Sequence, residues 1–200
     1  MPERTALIVV DMQNDMCHPS GALGQLGLDL DPVVELIPRL AEFVNDARSL
    51  GFRPLFTLHE NSPDTVSLTR RERHQARGTA GIGICEKGSW GAQIHEAFLV
   101  DEDDLVIRKQ RYSAFHRTDL DRTLRSLDVR GVIVTGAHTN VCVESTVRDA
   151  FMLDYFVIVP RDGVASIDVE LHQATLRNLE SYFAMITSCE ALLTTGSAPT

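Results

Sequence analysis

Three residues of this 200-residue chain carry reactive side chains at one kind of position. Asp11 ends the apolar run ALIVVD (6–11), Lys109 ends LVIRK (105–109), and Cys142 follows VIVTG (132–136) across a short turn. Each has a plain structural explanation: a strand-end aspartate capping the next helix, an exposed lysine, a buried cysteine acting as a small hydrophobe. Their chemistry nevertheless fits together. From Val141 onward the apolar residues Val143, Val147, Ala150 and Phe151 recur at helical spacing, which predicts Cys142 in the first turn of a helix. Unpaired backbone N–H groups and the helix dipole there favour a thiolate, and a lysine ammonium nearby lowers the thiol pKa further. A carboxylate beside both can take the thiol proton and return it to a leaving amine. The turn GAHTN adds backbone N–H groups suited to an oxyanion. Acyl transfer from an amide to sulfur, and then to water, needs no more than this.

The elements that must hold these groups are strands alternating with helices. Strand-like runs fall at 6–11, 53–59, 105–109, 132–136, 155–160 and 183–188, and most are continuously apolar, as in a parallel sheet covered on both faces. Amphipathic stretches lie between them. DPVVELIPRLAEFVNDARSLG has Asp31 and Pro32 as a start, Gly51 as a stop, and a Pro38 expected to kink or divide the helix. TDLDRTLRSLDVRG and DVELHQATLRNLESYF are further helices. The expected architecture is a doubly wound, mostly parallel six-stranded α/β sheet with helices on both faces, one domain over 1–200. Ligands in such sheets bind beyond the carboxyl ends of the strands, where all three reactive residues fall. The stretch from Asn61 to Gly91 shows no convincing strand, and a connection of that length is usually functional or oligomeric. Its arginines 70, 71, 73 and 77 read as a solvated helix face, with anion binding the alternative.

A formal net charge of −9 argues against a nucleic-acid partner. Cys17, Cys85, Cys142 and Cys189 are too scattered for a zinc site or a disulfide framework, so Cys17, Cys85 and Cys189 are read as structural or incidental. With no signal peptide and no run of membrane-spanning length, a cytoplasmic domain is expected.

The segments VVDMQNDM, RKQRYSAFHRTDLDRTLRSLDVRGVIVTGAHTNVCVESTVRDAF and VIVPRDGVAS resemble the isochorismatase-like cysteine hydrolases, over about residues 5 to 190 and least in 60 to 90. The resemblance implies Asp11 as general acid/base, Lys109 as its electrostatic partner and Cys142 as nucleophile. It also implies a cis peptide at Ala137-His138 that aims the N–H groups of His138 and Cys142 at the oxyanion. Retention of the cysteine argues against a vinyl-ether-cleaving isochorismatase. Nicotinamidases of this family bind a metal through a D-x-H motif and a further histidine. Here His59 stands alone in TLHENSPD, so it is read as a polar strand-end residue or a substrate contact, and no metal or cofactor is expected. The closest resemblance is to ureidoacrylate and biuret hydrolases, which implies a small ureido or carbamoyl amide as substrate; a homo-oligomer, dimer or tetramer, is expected as well. A nicotinamidase-like amidase and a non-catalytic binding module are the alternatives. Gln13, Asn14, Tyr112, Phe115, Trp90 and Gln173, with His172 beside it, are further candidates for substrate contact, each with a structural role as its rival: loop pinning, core packing, an oligomer contact or plain surface.

Overall fold

The sheet is built outward from its most apolar strands. The structure, a computed structural model, describes residues 4–79 and 81–196. Both ends of the expected domain and Ala80 of GTAGIG lie outside the described residues. In chain order, β1 (Thr5–Val10) leads through the short helices α1 (Asn14–Cys17) and α2 (Ala22–Gln25) to the long α3 (Asp31–Ser49) and β2 (Arg53–His59). Next come α4 (Leu68–Ala76), β3 (Leu105–Lys109), α5 (Leu120–Ser126) and β4 (Gly131–Ala137). A π-helical turn (Thr139–Val143) then runs into α6 (Glu144–Met152), followed by β5 (Phe156–Pro160), β6 (Val164–Ala165), α7 (Val169–Tyr182), β7 (Met185–Thr187) and α8 (Cys189–Gly196). The strands pair in the order β3-β2-β1-β4-β5-β7, with the short β6 beside β4, and every pairing is parallel. The six expected strands are present. The two-residue β6 is an addition that its length hid from any periodicity argument.

The continuous apolar runs are explained by two cores. Ala6, Ile8 and Val10 face one cluster, with Leu120 and Leu124 of α5, Val147 and Ala150 of α6, and Leu176 and Leu179 of α7. Leu7 and Val9 face the other, under Val33, Leu36, Leu40, Phe43 and Val44 of α3. Each apolar side chain of β1 is therefore taken from water, whichever face it points to. Two local expectations change. Helix α3 runs undivided through Pro38; that proline is exposed, so water can satisfy the carbonyl it leaves without a donor. Gly51 ends the helix in the left-handed region, at φ 88°. The connection from 60 to 91 holds one helix, α4, which buries no residue and is capped by Ser67.

The strand order also locates the crevice. The chain winds from β1 through β2 to β3 on one side, then returns to β4 on the other side of β1 and winds outward again. β1 and β4 thus flank the point where the winding direction reverses, and ligand crevices open there. Asp11 leaves β1 and Cys142 follows β4.

Candidate active site

Asp11 leaves β1 at φ 51°, a left-handed conformation that aspartate tolerates better than most residues. Thr57 of β2 fixes it there. The Asp11 N–H donates to the Thr57 hydroxyl at 3.1 Å, and that hydroxyl donates to Asp11 Oδ1 at 2.6 Å. The other carboxylate oxygen, Oδ2, accepts from Lys109 Nζ at 2.5 Å. Lys109 Nζ also donates to the Arg111 carbonyl at 3.1 Å. Both charged side chains are fully buried. Removing two ions from water costs several kcal/mol each, so such a pair persists only with close geometry and saturated oxygens. This one has both. Burial works against the Lys109 ammonium, but the charge of Asp11 and the contact with Cys142 reverse that, and its proton affinity ends above that of an ordinary lysine.

Cys142 lies in the π-helical turn rather than in the first turn of an α-helix. Thr146 steadies it: its hydroxyl donates to the Cys142 carbonyl at 2.7 Å and accepts the Ala114 N–H at 3.0 Å. Burial pushes the thiol up to about 12; the Lys109 ammonium opposes this and the Asp11 carboxylate adds to it. Burial thus opposes the thiolate that the lysine favours, and a base to take the thiol proton as sulfur reacts offsets that cost. The carboxylate of Asp11 is the base within reach.

The turn before Cys142 is held by tight backbone contacts. Gly136 sits at φ 104°, and a Cβ there would meet the Val10 carbonyl oxygen at 2.2 Å, so only glycine lets β4 approach β1 this closely. The peptide Ala137–His138 is cis. The His138 carbonyl accepts from Val141 and Val143 at 3.0 and 3.3 Å and closes the turn. The residue is 7% exposed, and both ring nitrogens are buried without a partner. Burial pushes its pKa down to about 4, so the ring is neutral near pH 7.

His59 lies opposite Lys109 in the β2–β3 register. Its pKa is pushed down to about 3 by burial and by the charge of Lys109, with Asp11 opposing and Arg70 adding to the depression. Arg70 on α4 makes a short contact to His59 Nε2. A guanidinium can only donate, so Nε2 must carry the lone pair and Nδ1 the proton. That Nδ1 is buried without a partner.

The remaining candidates scatter. Gln13 acts as a loop clamp: its Nε2 donates to the His59 and Ala92 carbonyls at 2.9 and 2.7 Å, and its Oε1 accepts the His59 N–H at 2.8 Å. Asn14 donates to the Trp90 carbonyl at 2.9 Å. Gln13 thus ties the end of β2 and Ala92 to the loop after β1, and Asn14 ties the 60–91 connection to it. Phe115 is 8% exposed in the core, its ring 5.7 Å from that of Tyr155, so packing accounts for it. Trp90 and Tyr112 are 48% and 45% exposed, Trp90 edge-on to His18. Gln173 lines a separate cleft with Arg161 and Arg177, away from the Asp11–Lys109 pair. His172 beside it is no free surface residue, because its Nδ1 meets the Thr139 hydroxyl at 2.8 Å. Sequence reasoning missed Thr57, Thr146 and Asp15. Asp15 accepts the Ala22 and Cys85 N–H groups at 2.9 and 2.6 Å and so anchors the long connection. The one signal for Thr57 was a hydroxyl inside the apolar run RPLFTLH.

The Isochorismatase domain family matches residues 5–191. The chain belongs to the isochorismatase family. It is 35% identical over 202 aligned positions to the ureidoacrylate amidohydrolase RutB of Methylobacterium radiotolerans, covering 95% of this chain and 78% of that protein. Among solved structures it is similar to a cysteine hydrolase from Pseudomonas syringae, with a TM-score of 0.86, 27% identity and coverage of 98% and 93% of the two chains. It is also similar to the pyrazinamidase/nicotinamidase of Streptococcus mutans, with a TM-score of 0.76, 27% identity and coverage of 91% and 99%.

The metal of the nicotinamidases in this family does not fit the residues here. The His59 lone pair faces the Arg70 guanidinium, so a cation at Nε2 would displace or repel another cation. Among the described residues, no group of three or more histidine, cysteine or acidic side chains converges on a common point. Among the described residues, too, no helix is long and apolar enough to cross a membrane.

Proposed function

We propose that this isochorismatase-family amidohydrolase cleaves a C–N bond of a small ureido or carbamoyl compound through a thioester on Cys142. The observation that carries the reading is the buried 2.5 Å contact between Lys109 and Asp11, both of which act electrostatically on the Cys142 thiol. As sulfur attacks the substrate carbonyl, the thiol proton passes to the Asp11 carboxylate, and the Lys109 ammonium balances the charge that sulfur transiently carries. The carbonyl electron pair moves onto oxygen, where the N–H groups of His138 and Cys142 receive it. Collapse expels the nitrogen, which takes the proton from Asp11 and leaves as ammonia or an amine. Asp11 then removes a proton from water, which attacks the thioester. The carbamate or carboxylate departs, and the proton returns to sulfur.

The likeness to RutB supports a ureido substrate. The likeness to a pyrazinamidase/nicotinamidase supports a second reading, a small carboxamide. Ammonia release from biuret, ureidoacrylate, N-carbamoyl amino acids and nicotinamide separates the two. Cys142→Ser should fold and lose nearly all turnover, and a slow substrate should leave its acyl mass on Cys142 of the wild type. Near wild-type turnover by the serine variant would exclude the thioester.

A further inference from the structure

The long connection lines an open cleft of about 650 Å³ that neither Asp11 nor Cys142 lines. That volume lies in the range of small-ligand sites. Its wall includes Arg70, Arg71 and Lys87, with Asn61, Ile82 and Ile84, in a chain whose net charge is −9. Among the described residues, Glu86 is the one carboxylate on the wall. α4 sorts its arginines: Arg71 and Arg73 are exposed, as a solvated face requires, as is Arg77 just past its end, while Arg70 is half-buried and turned inward. The Arg70 guanidinium meets only neutral acceptors, namely His59 Nε2, Asn61 Oδ1 at 3.3 Å and His74 Nε2 at 3.4 Å. Among the described residues it has no acidic partner, whereas Lys87 leans toward Glu60 at 4.0 Å. A partly buried guanidinium without a counter-charge is poised for an anion, and its planar fork matches a carboxylate. On its other side His59, with a buried and unpartnered Nδ1, separates it from Lys109.

We propose that Arg70 is a specificity-determining residue that receives a carboxylate on the substrate, so that the enzyme prefers anionic N-carbamoyl or ureido acids to neutral ureas. This rests on the ureido-cleaving reading above. The ureido carbon meets Cys142 while the acid end lies in the cleft, where Arg70 exchanges a neutral acceptor for a charged one. Arg71 and Lys87 add a diffuse positive field.

The test compares 3-ureidoacrylate and 3-ureidopropionate with neutral biuret and propylurea, the last replacing a carboxylate by methyl. Wild type should favour the acids, with a KM that rises with salt. Arg70→Met should cut the acid-to-neutral ratio of kcat/KM by roughly tenfold or more, through KM rather than kcat, and Arg70→Lys should restore part of it. Calorimetric binding of 3-ureidopropionate to Cys142→Ser should weaken equally when Arg70→Met is added, a readout independent of turnover. Cleavage of all four compounds with a ratio indifferent to Arg70 would overturn this inference and leave the ureido reading standing. Ammonia from none of the four, with nicotinamide cleaved, would overturn both.

Discussion

The buried Lys109–Asp11 pair makes a quantitative test of the site possible. Two unit charges 2.5 Å apart attract by roughly 7 kcal/mol at the effective dielectric suited to protein sites. Desolvation of both ions offsets much of that. Removing one partner cancels the attraction but leaves the other charge buried, at a cost of about 3–5 kcal/mol. Asp11→Asn leaves a buried ammonium with neutral acceptors, the Arg111 carbonyl among them, and no counter-charge. Lys109→Met keeps the apolar stem and strands a carboxylate bonded to Thr57. For a chain of this size each variant should melt roughly 6–20 °C lower than wild type. The double variant buries no charge. It should fall short of the summed single costs by about 2 kcal/mol or more, because the two changes remove one interaction between them. Urea unfolding followed by far-UV circular dichroism measures this cycle. Turnover should not recover with stability: all three variants should lose at least about 100-fold in kcat, since the proton shuttle or its counter-charge is gone. Additivity within about 0.5 kcal/mol would refute the pair as one energetic unit.

The thiol itself gives a second measurement. Alkylation of Cys142, read by peptide mass spectrometry, should be slow at pH 8 and climb only well above the usual thiol range, because burial raises its pKa. Asp11→Asn should move that profile to lower pH, and Lys109→Met to higher pH, as the signs of the two charges require. Three profiles that coincide would mean that these residues do not share a site. Thorough chelation should leave turnover intact, because the His59 lone pair is turned to Arg70; activity lost on chelation and restored by zinc, manganese or iron would favour the nicotinamidase-like reading.

Much of the fold was legible in the sequence because strands covered on both faces must be apolar throughout. ALIVVD and VIVTG announce their burial without any partner being known. Strand ends were legible for the same reason: the first charged or reactive residue after such a run falls where the sheet meets the crevice. That is why Asp11, Lys109 and Cys142 stood out in one dimension as strand-end candidates, while the resemblance to a family implied their roles. Gly51 likewise stops α3 as its type suggests, at φ 88°.

What the sequence could not decide was partnership and relative strength. Gln13 and Asn14 are polar residues beside the site, and nothing in their type says that their amides are spent on the carbonyls of His59, Ala92 and Trp90. Phe115 and Tyr112 are aromatic neighbours in RYSAF, yet one is core and the other is exposed. The protonation of Cys142 depended on a contest between burial and a lysine, and only packing density around the sulfur determines the winner. Arg70 differs from Arg71 and Arg73 by the face of α4 it occupies against His59. Charge sequence is one-dimensional, but whether a guanidinium meets water, an imidazole or a carboxylate is settled by which element folds over which, and here that is decided by a connection pinned through Asp15.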